Sequence, residues 1–160
     1  MAKKTVGRTR TTATSRTKAV LAKTQATDTP AGSAPTPSVA TKRATRLPKT
    51  VAAVVKAAHA KQAEHVVVLD LRKSGGFTDY FVICTGANAR QIVAIADAVR
   101  DTLKSDFGER PVVAEGLDRA EWVLLDYFDF VVHVFSRECR GFYNLERLWG
   151  NAERTAADED

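Results

Sequence analysis

Within WVLLDYFDFVVHVF, residues 122–135, three polar side chains interrupt a run of large apolar ones: Asp126, Asp129 and His133. Two carboxylates and an imidazole this close could hold a metal ion or move a proton. A metal needs three or four converging donors, and only His133 lies near the aspartates. Aspartate also bonds the backbone N–H groups ahead of it in tight turns, and two carboxylates set opposite each other repel. Asp126 and Asp129 therefore read as turn acids, with an interface role as the alternative. His133 reads as a sheet-face histidine. No catalytic residue, metal or cofactor is expected.

Other chemistry fares no better. KSGGF (73–77) between two strands hints at a nucleotidyltransferase, whose next strand carries a D-x-D pair for two magnesium ions. Here that strand begins Asp79-Tyr80-Phe81, so the pair is missing. Gly86 in CTGANAR precedes a helix start and reads as a plain strand-to-helix turn. Ser74 has no base at a recognisable spacing. Cys84 and Cys139 form neither a disulfide framework nor a metal knuckle, which favours a reducing compartment.

The elements that must position these residues follow Leu47. LPKTVAAVVKAAHAKQA places Leu47, Val51, Val54, Val55 and Ala58 on one helical stripe that fades near Gln62, with Pro48 in the first turn. HVVVLDLR (65–72) and TDYFVICTG (78–86) read as a hairpin. ANARQIVAIADAVRDTLK is a helix with Ile92, Ile95, Ala96, Val99 and Leu103 inward. RPVVAEG (110–116) is a short strand, and because Pro111 lacks an N–H it is either an edge strand or one that begins at Pro111. EWVLLDY and FVVHVFS are two further strands, and GFYNLERLWGN one short helix that stops near Gly150. The order predicts an α/β fold: a mixed five-stranded sheet with flanking helices.

Suppose the two strands of the opening stretch turn through residues 126–129, with Leu125 opposite Phe130. Alternation then puts Val123, Leu125, Phe130, Val132 and Val134 on one face, suited to the helices. The other face carries Trp122, Leu124, Val131, His133 and Phe135, with Trp122 roughly opposite His133. An apolar face with polar handles suits a surface that a partner covers.

Charge divides the chain. Residues 1–46 hold ten Lys/Arg, one acid and twelve Thr, with no aromatic residue. This basic Thr/Ala/Pro-rich segment is expected to be disordered. Lys42, Arg43 and Arg46 are its candidates for weak phosphate contact, and a solvated linker or an organelle transit peptide are the alternatives. The remainder holds fourteen Lys/Arg against eighteen Asp/Glu, so the body is mildly acidic. Residues 152–160 read as a short acidic tail. No apolar run approaches the roughly 18 residues that span a bilayer, and no secretory signal is evident.

VVVLDLR, TDYFVICTG, EWVLLDY, VVHVF and above all FYNLERLWG together resemble the ribosomal silencing factor (Iojap-related) family over residues 47–151. The resemblance implies a nucleotidyltransferase-like fold without its catalytic carboxylates, and a binding role in place of an enzymatic one. It implies docking on ribosomal protein fourteen of the large ribosomal subunit, a block to subunit joining, and lower translation when nutrients are short. Carried over by position, it points to Trp122, Leu124, Asp126, Asp129, Val131 and His133, and to Tyr143, Leu145, Glu146 and Trp149 of the terminal block. Asn144 stands where the family often has an acid. Trp149 could equally be core, and a second copy could cover the face as a homodimer. A bacterial cytoplasm is the first expected location, an organelle matrix the second. The basic segment lies outside the shared pattern and could graze ribosomal RNA. A nucleotide-dependent transferase and a tail-driven RNA-binding module are the competing readings.

Overall fold

The computed structural model describes residues 46–157. The basic segment up to residue 45, with Lys42 and Arg43, lies outside the described residues, and so do residues 158–160.

Pro48 precedes helix α1 (Lys49–Ala60), which buries Val51, Val54, Ala57 and Ala58. Strands β1 (Glu64–Asp70) and β2 (Tyr80–Thr85) pair antiparallel, as expected of the hairpin. Helix α2 (Ala89–Phe107) starts at Asn88, whose side chain accepts the Gln91 N–H at 2.9 Å. Gln91 reaches back to accept the Ala87 N–H at 2.7 Å, a reciprocal cap. The helix ends at Gly108 in the left-handed region and buries the five residues that the periodicity marks. Strand β3 (Val113–Glu115) follows, and Gly116 closes it at φ 83°. A Cβ there would sit 1.9 Å from the Trp122 carbonyl oxygen, so only glycine lets the chain turn back.

β4 (Trp122–Asp126) and β5 (Phe130–Phe135) form the expected antiparallel hairpin, in a different register. Leu125 faces Val132 and not Phe130, and Trp122 faces Phe135 with His133 on the diagonal. The loop is shorter than predicted. The Tyr127 N–H bonds the Phe130 carbonyl at 3.0 Å, leaving Phe128 and Asp129 at the tip. Phe128 allows this by taking φ 76°, with no glycine to signal it in the sequence. The displacement is an even number of residues, so both faces keep their predicted members. A left-handed phenylalanine is strained by about 1–2 kcal/mol. Phe128 is 79 % exposed and has little packing to lose. Phe128→Gly should therefore raise stability by up to about 1 kcal/mol after the greater chain entropy of glycine is counted, read as a higher urea midpoint.

Two expectations need correction. The C-terminal helix is two helices, α3 (Arg137–Tyr143) and α4 (Leu145–Leu148). Ser136 caps the first, starting it earlier than the apolar pattern suggests, and Asn144 at φ 41° breaks the helical path. Among the described residues the sheet has six strands and not five. Glu153–Ala156, within the expected acidic tail, forms β6 on the open edge of β1, pairing Val67 with Ala156 and Asp70 with Glu153. All four of its side chains are exposed, so no alternation announces it; the edge of β1 supplies the hydrogen-bond partners.

The strand order is β3-β4-β5-β2-β1-β6. Only β2 and β5 run parallel; every other neighbouring pair is antiparallel. This is the mixed α/β sheet that the sequence predicts, with one more strand. Helices α1 and α2 cover one face, over a core that includes Val68, Val82, Val123, Leu125, Val132 and Val134. A smaller apolar cluster on the reverse face is closed by residues of α3, α4 and the turn after them.

Candidate docking face

The reverse face is built on Val67, Leu69, Phe81, Ile83, Val131 and Phe135, all buried, with Trp122, Leu124, Leu145 and Trp149 packed half-exposed against them. Trp149 meets the Phe81 ring edge-on at 5.8 Å, so it is neither fully core nor free surface. Trp122 stacks on Phe135 at 5.0 Å and lies 4.6 Å from the Tyr143 ring. Tyr143 in turn touches Phe142 at 5.1 Å. Phe142 is 82 % exposed, and Leu148 is exposed beside it, where both line one shallow groove with Gly141, Asn144 and Arg147. A chain of rings thus leads from the interior at Phe81 and Phe135 out to an apolar surface.

His133 is 4 % exposed, and its Nδ1 accepts the Trp122 Nε1–H at 3.1 Å. Burial pushes its pKa down to about 3, so it is a neutral imidazole at physiological pH. Val131 is equally buried. These two therefore shape the face from beneath and do not form its outer surface. Cys84 is also buried, with its thiol pushed up to about 12, which suits packing and not nucleophilic attack.

The acids divide by role. The Asp126 carboxylate accepts the Phe128 N–H at 2.8 Å, as a turn aspartate does. Asp129 is exposed at the hairpin tip, where its carbonyl accepts the N–H groups of Asp79 and Tyr80. Glu146 is held inside a clamp. Arg140 donates to Glu146 at 2.9 Å, to the Thr85 hydroxyl at 2.7 Å and to the His65 carbonyl at 2.7 Å, and Arg154 adds a pair at 3.2 Å. Burial alone would raise the Glu146 pKa, but the Arg140 hydrogen bonds and the nearby cations outweigh it and hold the carboxyl below its usual range. Arg46 is exposed before α1. Among the described residues no three His, Cys, Asp or Glu side chains converge as metal ligands.

Of the predicted residues, Trp122, Leu124, Val131, His133, Tyr143, Leu145, Glu146 and Trp149 are thus brought together on one face; Asp126 ends β4 opposite Val131, Asp129 stands at the hairpin tip and Arg46 lies before α1, while Lys42 and Arg43 lie outside the described residues. Sequence reasoning missed Phe142 and Leu148 as surface groups and Arg140 as the residue that seats the terminal helices. Phe142 had a signal, an aromatic beside Tyr143 in a short helix. Arg140 had none, because its acceptors lie on β1, β2 and α4.

The family model described as "Ribosomal silencing factor during starvation" matches residues 44–160. The chain is 44% identical over 92 residues to the ribosomal silencing factor of Bacillus subtilis, covering 58% of this chain and 77% of that protein. It is 41% identical over 98 residues to the ribosomal silencing factor of Halalkalibacterium halodurans, covering 61% and 83%. A crystal structure of a Chromobacterium violaceum protein superposes with a TM-score of 0.62 at 31% identity, covering 69% of this chain and 92% of that one. Each alignment covers a larger share of the related protein than of this chain. From Ala44 onward, over the whole sheet and the aromatic face built on it, this chain belongs to the ribosomal silencing factor family.

Proposed function

We propose that the protein represses translation by seating its aromatic face on ribosomal protein fourteen of the large ribosomal subunit, where its bulk blocks joining of the small subunit when nutrients are scarce. The observation that carries this reading is the exposed apolar group Phe142, Tyr143 and Leu148, continuous with the half-buried Trp122 indole. Aromatic anchors of this kind, rimmed by polar groups, dominate binding energy in protein interfaces. Steric repression needs nothing more chemical than a rigid body held at the right place. The kinship with ribosomal silencing factors supports a role at the ribosome.

The test is co-sedimentation with purified large subunits. Phe142→Ala and Tyr143→Ala should each weaken binding about tenfold or more, as expected for anchor residues. Phe142 is the more exposed, so its substitution should leave the unfolding midpoint in place, whereas loss of Tyr143, packed on Trp122, should lower it modestly. Full binding by both variants would remove this face from the interface. The basic segment, through Lys42, Arg43 and Arg46 among others, adds a salt-sensitive contact with ribosomal RNA in this reading. A chain lacking residues 1–46 should keep most of its binding and show a shallower dependence on salt; complete loss would transfer the docking role to that segment.

A further inference from the structure

We propose that His133 is a positioning residue for this face: its Nδ1 holds the Trp122 indole N–H and fixes the plane in which the indole meets the partner. The inference rests on the docking reading above.

The hairpin register makes Trp122 and His133 diagonal neighbours on one face, and the indole donates to the imidazole at 3.1 Å. The imidazole is itself wedged between rings. Phe81 meets it edge-on at 4.7 Å, and Phe135 lies parallel to it at 5.9 Å. Accepting at Nδ1 leaves the single proton of a neutral ring on Nε2. Nε2 is buried and, among the described residues, has no hydrogen-bond partner. A buried N–H without a partner destabilises a fold, and phenylalanine or leucine would fill the same space without that defect. Packing therefore does not account for a histidine here. What an apolar side chain cannot supply is the acceptor for the indole. That acceptor, with the stack on Phe135, leaves Trp122 ordered before any partner arrives, which lowers the entropy lost on binding. Burial keeps the imidazole neutral, so the bond persists at physiological pH.

Two substitutions separate positioning from packing. His133→Phe keeps a ring and removes the acceptor, whereas His133→Asn places an amide oxygen near the position of Nδ1. In the Phe variant the Trp122 indole N–H resonance, assigned with a Trp149→Phe variant, should move and exchange faster with solvent. Its affinity for large subunits should fall about tenfold, the size expected for losing one preordered anchor. The Asn variant should restore the resonance and most of the affinity. Nitrogen NMR of the unaltered protein should find the His133 proton on Nε2, a readout that needs no variant to fold. Wild-type affinity in the Phe variant, or the proton on Nδ1, would overturn the proposal. If Phe142→Ala and Tyr143→Ala also bind normally, the docking reading itself has failed. If those two lose binding while His133→Phe keeps it, only the positioning role falls.

Discussion

Arg140→Ala should destabilise the protein by about 3 kcal/mol and release α3 and α4 from the sheet, the largest single effect expected of any charged side chain on the reverse face. One guanidinium ties three elements: the His65 carbonyl in β1, the Thr85 hydroxyl at the end of β2, and Glu146 in α4. Its own side chain is 13% exposed and that of Glu146 17%, so solvent screens the pair only in part. Removing the cation leaves the Glu146 carboxylate half-enclosed with Arg154, more than half exposed, as its remaining ion-pair partner among the described residues. It also leaves the Thr85 hydroxyl, which is 1% exposed, without its donor. An unmatched, partly buried charge costs more than the intact pair contributes. Arg140→Lys keeps the charge but lacks the planar fork that reaches three acceptors, so an intermediate loss is expected. Arg137→Ala is the contrast, because the Arg137–Glu64 pair is solvent-exposed and should leave the midpoint nearly unchanged. Urea unfolding gives the magnitudes, and amide exchange over residues 137–149 shows whether the loss is local. Equal midpoints for Arg140→Ala and Arg137→Ala would show that the clamp is dispensable.

Acidification provides the second large effect. In the folded chain His133 titrates at about 3, against about 6.5 for an unfolded histidine. The unfolded state therefore takes up a proton first, and stability falls as pH drops from about 6.5 towards 3. The slope approaches 1.4 kcal/mol per pH unit, which makes the loss between pH 7 and pH 5 about 2 kcal/mol. Asp70 is held low chiefly by its Arg72 hydrogen bond, and Glu146 by its clamp despite burial. The stability these two carboxylates contribute is present above the usual carboxylate range and is lost only as pH falls below it. Of these three shifted groups, His133 is the one that acts between about pH 6.5 and 5. Denaturation curves at pH 7 and 5 measure the loss, and His133→Phe should flatten it. An equal loss in that variant would assign the acid sensitivity to other groups.

Several features were legible in the sequence because they depend on local pattern. The five buried residues of α2 follow from period alone, since a helix brings positions three and four apart to one side. The two faces of β4 and β5 follow from alternation and survive an error of register, because an even displacement does not change which side a residue faces. The edge placement of β3 is one of the two readings that Pro111 allows, and Pro111 itself lies ahead of the strand. The family is legible in TDYFVICTG and FYNLERLWG, and residues 44–160 match it. Asp126 reads correctly as a turn acid because its bond to Phe128 spans two residues.

What the sequence left open depends on distant partners. β6 exists because β1 has an unpaired edge, a property of β1 and not of ERTA. Glu146 looks like a free interface acid until folding brings Arg140 and Arg154 to it. Phe128 reaches its tight turn because Asp126 and Thr78 hold its backbone. Sequence alone determined that one side of the sheet is apolar with an indole and an imidazole in it. Tertiary structure decided that the imidazole is buried beneath the indole and that Phe142, Tyr143 and Leu148 remain outside. The reason is physical: periodicity is written in neighbouring residues, whereas burial and charge pairing arise only when separate elements are packed together.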